Sequence, residues 1–281
     1  MTANVISQTA CTLGEGAFWH PAREQFFWFD ILRKRLLTLT EQGEHHWDFD
    51  DCVSAAGWVD NETLIMASEC ALWRFDIGSG RREKLIPLEA DNRGTRSNDG
   101  RADPYGGFWI GTMGFQAEPG AGAIYRYYRG ELRQLFGDIT ISNAICFTPD
   151  GTIAYFTDTA DGRIMKQALN DDGWPTGAPE VHLDLRDQAF GPDGAIVDAS
   201  GNLWNAQWGA SRVACYAPDG ALLETYPVPT PQASCPAFGG PDLTTLYVTS
   251  AAQGREGDSL AGKTFAVQTT IKGQPEHRVL L

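Results

Sequence analysis

One pattern recurs six times along the chain: a small or polar residue, a short mixed run, a turn six residues later, then a strand rich in aromatic and β-branched residues. The copies read EGAFWHP then FFWFD, SAAGWVD then TLIMAS, NDGRADP then FWIGT, NAICFTP then AYFTD, DGAIVDA then LWNAQ, and CPAFGGP then LYVTS. A third strand candidate follows each of them (RLLTL, LWRFD, IYRYY, IMKQA, VACYA, TFAVQ), and fourth candidates such as HHWDF, EKLI, LRQLF and VHLDL come after. A repeat of this kind constrains the fold more than local propensity does, because one unit cannot bury its apolar face without a neighbour.

The copies open at Glu15, Ser54, Asn98, Asn143, Asp193 and Cys235, with separations of 39, 44, 45, 50 and 42 residues. Four strands every ~40 to 50 residues is the period of a propeller blade. The expectation is therefore an all-β, six-bladed β-propeller with four antiparallel strands per blade, forming a single domain over residues 1–281. A β-sandwich would not explain six copies in phase. Stretches 114–123 and 171–180, rich in Pro and Gly, have the length of interstrand loops rather than of linkers. The ends, NVISQ and HRVLL, are expected to help close the ring in one sheet.

Composition agrees and narrows the partners. In 281 residues there are 31 Gly, 15 Pro and 11% aromatics, which suits short strands and tight turns. Lys+Arg number 22 against 36 Asp+Glu, a formal charge of −14 that argues against nucleic acid and anionic membrane surfaces as partners. No apolar run approaches the ~18 residues of a membrane-spanning helix. The first basic residue is Arg23, so the chain lacks the positive start of a secretory signal and is expected to be cytoplasmic. The six cysteines show no CxxC spacing and read as reduced, mostly buried small residues.

The first strand of a propeller blade is the innermost, so the opening residues of the copies should converge at the channel mouth. Those positions carry two carboxylates (Glu15, Asp193) and two amides (Asn98, Asn143), together with Ser54 and Cys235 as small lining residues. Oxygen donors of this kind suit calcium, magnesium or manganese better than thiolate-bound zinc. Without a cation, two carboxylates in a partly desolvated cavity would repel, and at least one would be pushed toward protonation. Taken singly, Asn-Asp-Gly at 98–100 and Pro-Asp-Gly at 192–194 are ordinary turn signals; their phase with the repeat is what points to a site. Trp19, Trp109 and Trp208 lie near strand starts and could stack on a sugar or pack between blades. His20, His45 and His46 read as structural or surface residues.

The segments LGEGAFW (13–19), RSNDGRADPYGGFWIGTM (96–113), ISNAICFTPDG (141–151), GPDGAIVDASGNLWNA (191–206) and FGGPDLTTLYVTSA (238–251) resemble the SMP-30/gluconolactonase/LRE-like family, which includes regucalcin and sugar lactonases. The likeness runs in order along nearly the whole chain. It implies a six-bladed propeller with one divalent cation in its channel, calcium ahead of zinc, magnesium, manganese or iron. It also implies Glu15, Asn143 and Asp193 as metal ligands, with Asp193 the catalytic general base. Arg96 and Asn98 match the family's substrate-holding RxND motif. Where some members carry a sugar-contacting glutamate after the GTM motif, this chain has Gln116, which departs from the pattern and bears on sugar preference.

The activity expected from that resemblance is hydrolysis of an aldonolactone to the open acid. A cation larger and harder than zinc polarises water less, so a carboxylate base is useful beside it. A phosphotriester hydrolase on the same metal site is an alternative, as is a non-catalytic calcium-binding regulator. No apolar patch marks the outer loops, which argues against an interaction propeller; the partner that the resemblance implies is a small sugar lactone, and the chain is expected to be a monomer or weak homo-oligomer.

Overall fold

A computed structural model of the chain describes residues 3–255 and 257–281 and, among them, holds 24 strands and no helix. The strands form six four-stranded antiparallel sheets, the blades of a six-bladed β-propeller. Five blades take four consecutive strands each, and their innermost strands are Gly14–His20, Val53–Asp60, Thr95–Ala102, Ser142–Phe147 and Gly191–Val197. Blade six begins with Ala233–Gly239 and is completed by Asn4–Ser7, which pairs with Thr264–Gln268.

Burial follows strand order and explains the residue types. All of Gly14–His20 and all of Thr95–Ala102 are buried, whereas the outermost strand Gly43–Asp48, GEHHWD, is almost wholly exposed. The core is divided into six apolar clusters, each spanning two neighbouring blades. Phe27, Phe29 and Leu36 of blade one meet Val53, Met66 and Phe75 of blade two. Trp109 of blade three meets Phe147 of blade four edge-on at 5.3 Å, and Trp204 of blade five meets Phe238 of blade six in the same way, also at 5.3 Å. Each buried Phe, Leu or Val contributes about 1.5–3 kcal/mol, so the sheets are held as a ring mainly by their faces.

The expected closure is half right. The N-terminal segment does complete blade six, but residues 277–281 form no strand, because the fourth position of that sheet is already taken by Asn4–Ser7. The C-terminal segment instead crosses the channel end formed by the last residues of the inner strands. Gln274 donates to the carbonyls of Phe147 and Val197 at 2.8 and 3.0 Å. Glu276 pairs with the buried Arg101. The amides of Val279 and Leu280 donate to Trp58 and Gly106 at 2.9 and 2.8 Å.

Candidate metal and substrate site

Every inner strand carries a register irregularity near its start, and the irregularities build the site. In blade one, Glu15 pairs with Phe29 and the ladder resumes only at Phe18; in blade four, Asn143 pairs with Thr157 and it resumes at Cys146. In blades three and five the breaks fall between Ser97 and Gly100 and between Pro192 and Ala195, which places Asn98 and Asp193 inside the bulges. A bulge bends a strand and re-aims its side chains. Glycines flanking Glu15 are dictated by close approach: a Cβ on Gly14 would collide with the carbonyl of Ser250, and one on Gly16 with that of Ser54. Gly16 also has a φ of +57°, which few L-residues adopt.

Glu15, Arg96, Asn98, Asn143 and Asp193 line one cavity of about 280 Å³, together with Leu13, Met113, Ile141, Thr159, Trp208 and Gln253. Its size is at the small end for ligand sites and suits a single ring. Gln116 is not on its wall; it sits exposed on the loop after Phe108–Gly114, where its backbone N–H donates to the Glu118 carboxylate at 3.1 Å. Ser54 and Cys235 are buried but do not line the cavity. Of the three tryptophans near strand starts, Trp208 reaches the cavity, whereas Trp19 stacks on Tyr247 and Trp109 packs between blades. His20 is buried with Nε2 against the Asp60 carbonyl at 3.1 Å, and His45 and His46 are on the exposed outer strand of blade one. A larger groove of about 990 Å³ lies against the C-terminal segment, and its buried carboxylate, Glu276, is already paired.

Hydrogen bonds fix the polar wall. Arg96 Nη1 donates to Asn98 Oδ1 at 2.8 Å and to the Ser97 carbonyl at 2.9 Å. Asn98 Nδ2 donates to the Ser142 carbonyl at 2.8 Å and approaches Asn143 Oδ1 at 3.3 Å. Asn205 Nδ2 donates to the carbonyl of Asp193 at 2.8 Å and steadies that bulge. Arg96 is only 5% exposed, so it is part of the wall rather than a solvated loop charge.

Burial and like charge dominate the electrostatics of the cavity. Burial pushes the Glu15 carboxyl up to about 8, with Asp99 adding to the rise and the Gly16 amide and Arg96 opposing it. Burial raises Asp193 well above the usual carboxylate range, and the charges of Glu15 and Asp99 raise it further. Asp99, one step deeper, is raised by burial despite Arg101 and the amide of Ile145. Like charge thus adds to burial at Glu15 and Asp193, and the guanidiniums that oppose the rise are Arg96 at Glu15 and Arg101 at Asp99. Among the described residues the ion pairs with both partners buried are Arg101–Glu276 and Arg126–Asp103, and neither Glu15 nor Asp193 joins one. Two buried carboxyls that repel when ionised, beside an amide oxygen, fit one divalent cation by charge and by donor chemistry.

A model of the SMP-30/gluconolactonase/LRE-like region matches residues 13–252. The chain belongs to this family. Among SMP-30/gluconolactonase-like relatives, a Rhizobium meliloti (strain 1021) protein provisionally named a sugar lactone lactonase is 41% identical, covering 98% of this chain and 96% of its own. An L-arabinolactonase of Azospirillum brasilense is 34% identical, covering 98% and 95%. The crystal structure of a calcium-binding protein, regucalcin, from Agrobacterium tumefaciens superposes with a TM-score of 0.97 at 39% identity, covering 100% of this chain and 98% of that one.

Proposed function

We propose that the protein is a metal-dependent lactonase that opens a sugar-acid lactone, an aldonolactone such as glucono-, xylono- or arabinolactone, to the aldonic acid. The observation that carries this reading is the convergence of Glu15, Asn143 and Asp193, two of them carboxyls raised by burial and like charge, on the same small cavity as Arg96 and Asn98. The names of the lactonase relatives support the reaction class.

Glu15, Asn143 and Asp193 would hold the cation, which when bound supplies Lewis-acid polarisation of the lactone carbonyl and neutralises the charge that develops on its oxygen. Asp193 accepts the proton of the attacking water, whose oxygen bonds to the carbonyl carbon. When the ring C–O bond breaks, the same carboxyl returns that proton to the departing ring oxygen, so the product is the hydroxy acid. Glu15 anchors and Asn143 contributes a neutral oxygen. Arg96 uses Nη1 on the protein and has further N–H groups for substrate hydroxyls. Leu13, Met113, Ile141 and Trp208 supply the apolar wall that seats the ring's carbon face and limits water.

The test is acid release from five- and six-membered aldonolactones of pentoses and hexoses, with spontaneous opening subtracted. It is run with several divalent metals, after chelation, and beside a phosphotriester set. Metal-restored turnover on at least one lactone is expected. Turnover that survives exhaustive chelation would overturn the metal requirement. Phosphotriester turnover alone, or tight cation binding with no turnover, would replace the lactonase reading.

A further inference from the structure

An asparagine that ligates a cation must present its oxygen, yet the two ends of the amide have nearly the same shape. Something beside Asn143 has to decide which end faces the cavity. Thr159, in the loop after Ile153–Asp158, lies on the cavity wall and touches Asn143 from the side away from Asn98. A hydroxyl has one hydrogen, and that of Thr159 is donated to the carbonyl of Pro192 at 2.8 Å, a group that can only accept. The Thr159 oxygen can then only accept, so the Asn143 atom 2.8 Å from it is the NH₂ group.

The other end of the amide is constrained independently. Arg96 can only donate, so the Asn98 atom it touches is the oxygen, and Asn98 presents its own NH₂ to Asn143 Oδ1 at 3.3 Å. A one-way relay therefore runs from Arg96 through Asn98, Asn143 and Thr159 to Pro192, across blades three, four and five. Turning the Asn143 amide over would set its oxygen against the lone pairs of Thr159 and its NH₂ against the NH₂ of Asn98. Both contacts would be repulsive.

We propose that Thr159 is a positioning residue that holds the Asn143 oxygen toward the cation seat and couples it to the residue before Asp193. This rests on the reading of the site as a metal centre. Partners of this kind are worth 10–100-fold in metal affinity.

The experiment is calorimetric titration of calcium into the chelator-treated full-length protein, with the melting temperature of the cation-free form as a fold control. Thr159→Val is expected to weaken binding by about 10–100-fold, and Thr159→Ser, which keeps the hydroxyl, to restore it. Thr159→Ala stands in if the valine form does not fold. In an Asn143→Asp background the ligand has two oxygens and no orientation to lose, so the same substitution is expected to leave the affinity unweakened. Wild-type affinity in Thr159→Val overturns the proposal while leaving the metal site intact. Equal weakening in the Asn143→Asp background overturns it as well, because Thr159 would then act through blade spacing. A wild-type protein that binds no divalent cation overturns both this proposal and the site reading.

Discussion

Glu15 and Asn143 occupy the same register position in opposite blades of the ring. Each is the last paired residue before a two-residue break, facing Phe29 and Thr157 respectively, and each is followed by a left-handed residue, Gly16 at φ 57° and Ala144 at φ 56°. Asn98 and Asp193 sit one step later, inside the bulges of blades three and five. The oxygen donors thus come from two depths of the strand and not from one flat ring.

Asp193→Asn keeps an oxygen at the site while removing the proposed base and one of two mutually repelling charges. The expected result is a fall in lactone kcat of about 10²–10⁴-fold at saturating metal, with a cation-free melting temperature at or above that of the wild type. Near wild-type kcat would remove Asp193 from the base role.

The raised carboxyls set a pH dependence whose sign can be worked out. Glu15 is protonated up to about 8 in the folded cation-free chain, whereas in the unfolded chain it loses its proton near ~4.3. Between those values the folded form holds protons that the unfolded form has released, so its stability declines as pH rises through the window. A cation competes with the same protons. Melting curves with chelator are expected to shift down between about pH 5.5 and about pH 8, and the gain on adding calcium to grow over that interval. A calcium gain independent of pH would contradict the assignment of Glu15 and Asp193 as the seat.

Gly16→Ala places a methyl group against the Ser54 carbonyl at a backbone angle of +57°. A loss of at least about 1–3 kcal/mol is expected, read as a lower denaturant midpoint at an unchanged slope. An unmoved midpoint would mean that the blade-one bulge relaxes freely.

Glu276→Gln leaves the Arg101 guanidinium, with a side chain 7% exposed, without its ion-pair partner. Removing one half of a buried pair costs about 3–5 kcal/mol, and the lower end is expected because Asp99 also faces Arg101. Differential scanning calorimetry of the variant checks this; stability equal to wild type would show that the C-terminal segment contributes little to closing the channel.

The blades were legible because each repeat carries its own aromatic strand, and six faces that need partners leave few solutions. The convergence of Glu15, Asn143 and Asp193 on one cavity is legible because they are polar where small or apolar residues would suffice. Other parts depend on geometry that no spacing encodes. Asn98 to Gly100 looks like a hairpin turn, yet it lies within the strand Thr95–Ala102, where a Cβ on Gly100 would sit 2.7 Å from the Trp109 carbonyl. Asp99, read as part of that turn, is buried in the channel. Thr159 and Gln253 come from loops at the far ends of second strands, and nothing in the repeat marks them as neighbours of the inner ring. The tail beyond Thr264–Gln268 departs from the expectation because HRVLL has the composition of a strand, but the fourth place in the sixth sheet is taken by Asn4–Ser7.

The pairing of Asn4–Ser7 with Thr264–Gln268 has a consequence for biosynthesis. Residues 4–7 are synthesised before the sixth sheet and wait for it to emerge before they find a partner. The ring therefore locks late, through the long-range pairing of Asn4 with Ala266, and until then the growing polypeptide carries an unshielded strand edge that chaperones or aggregation can capture.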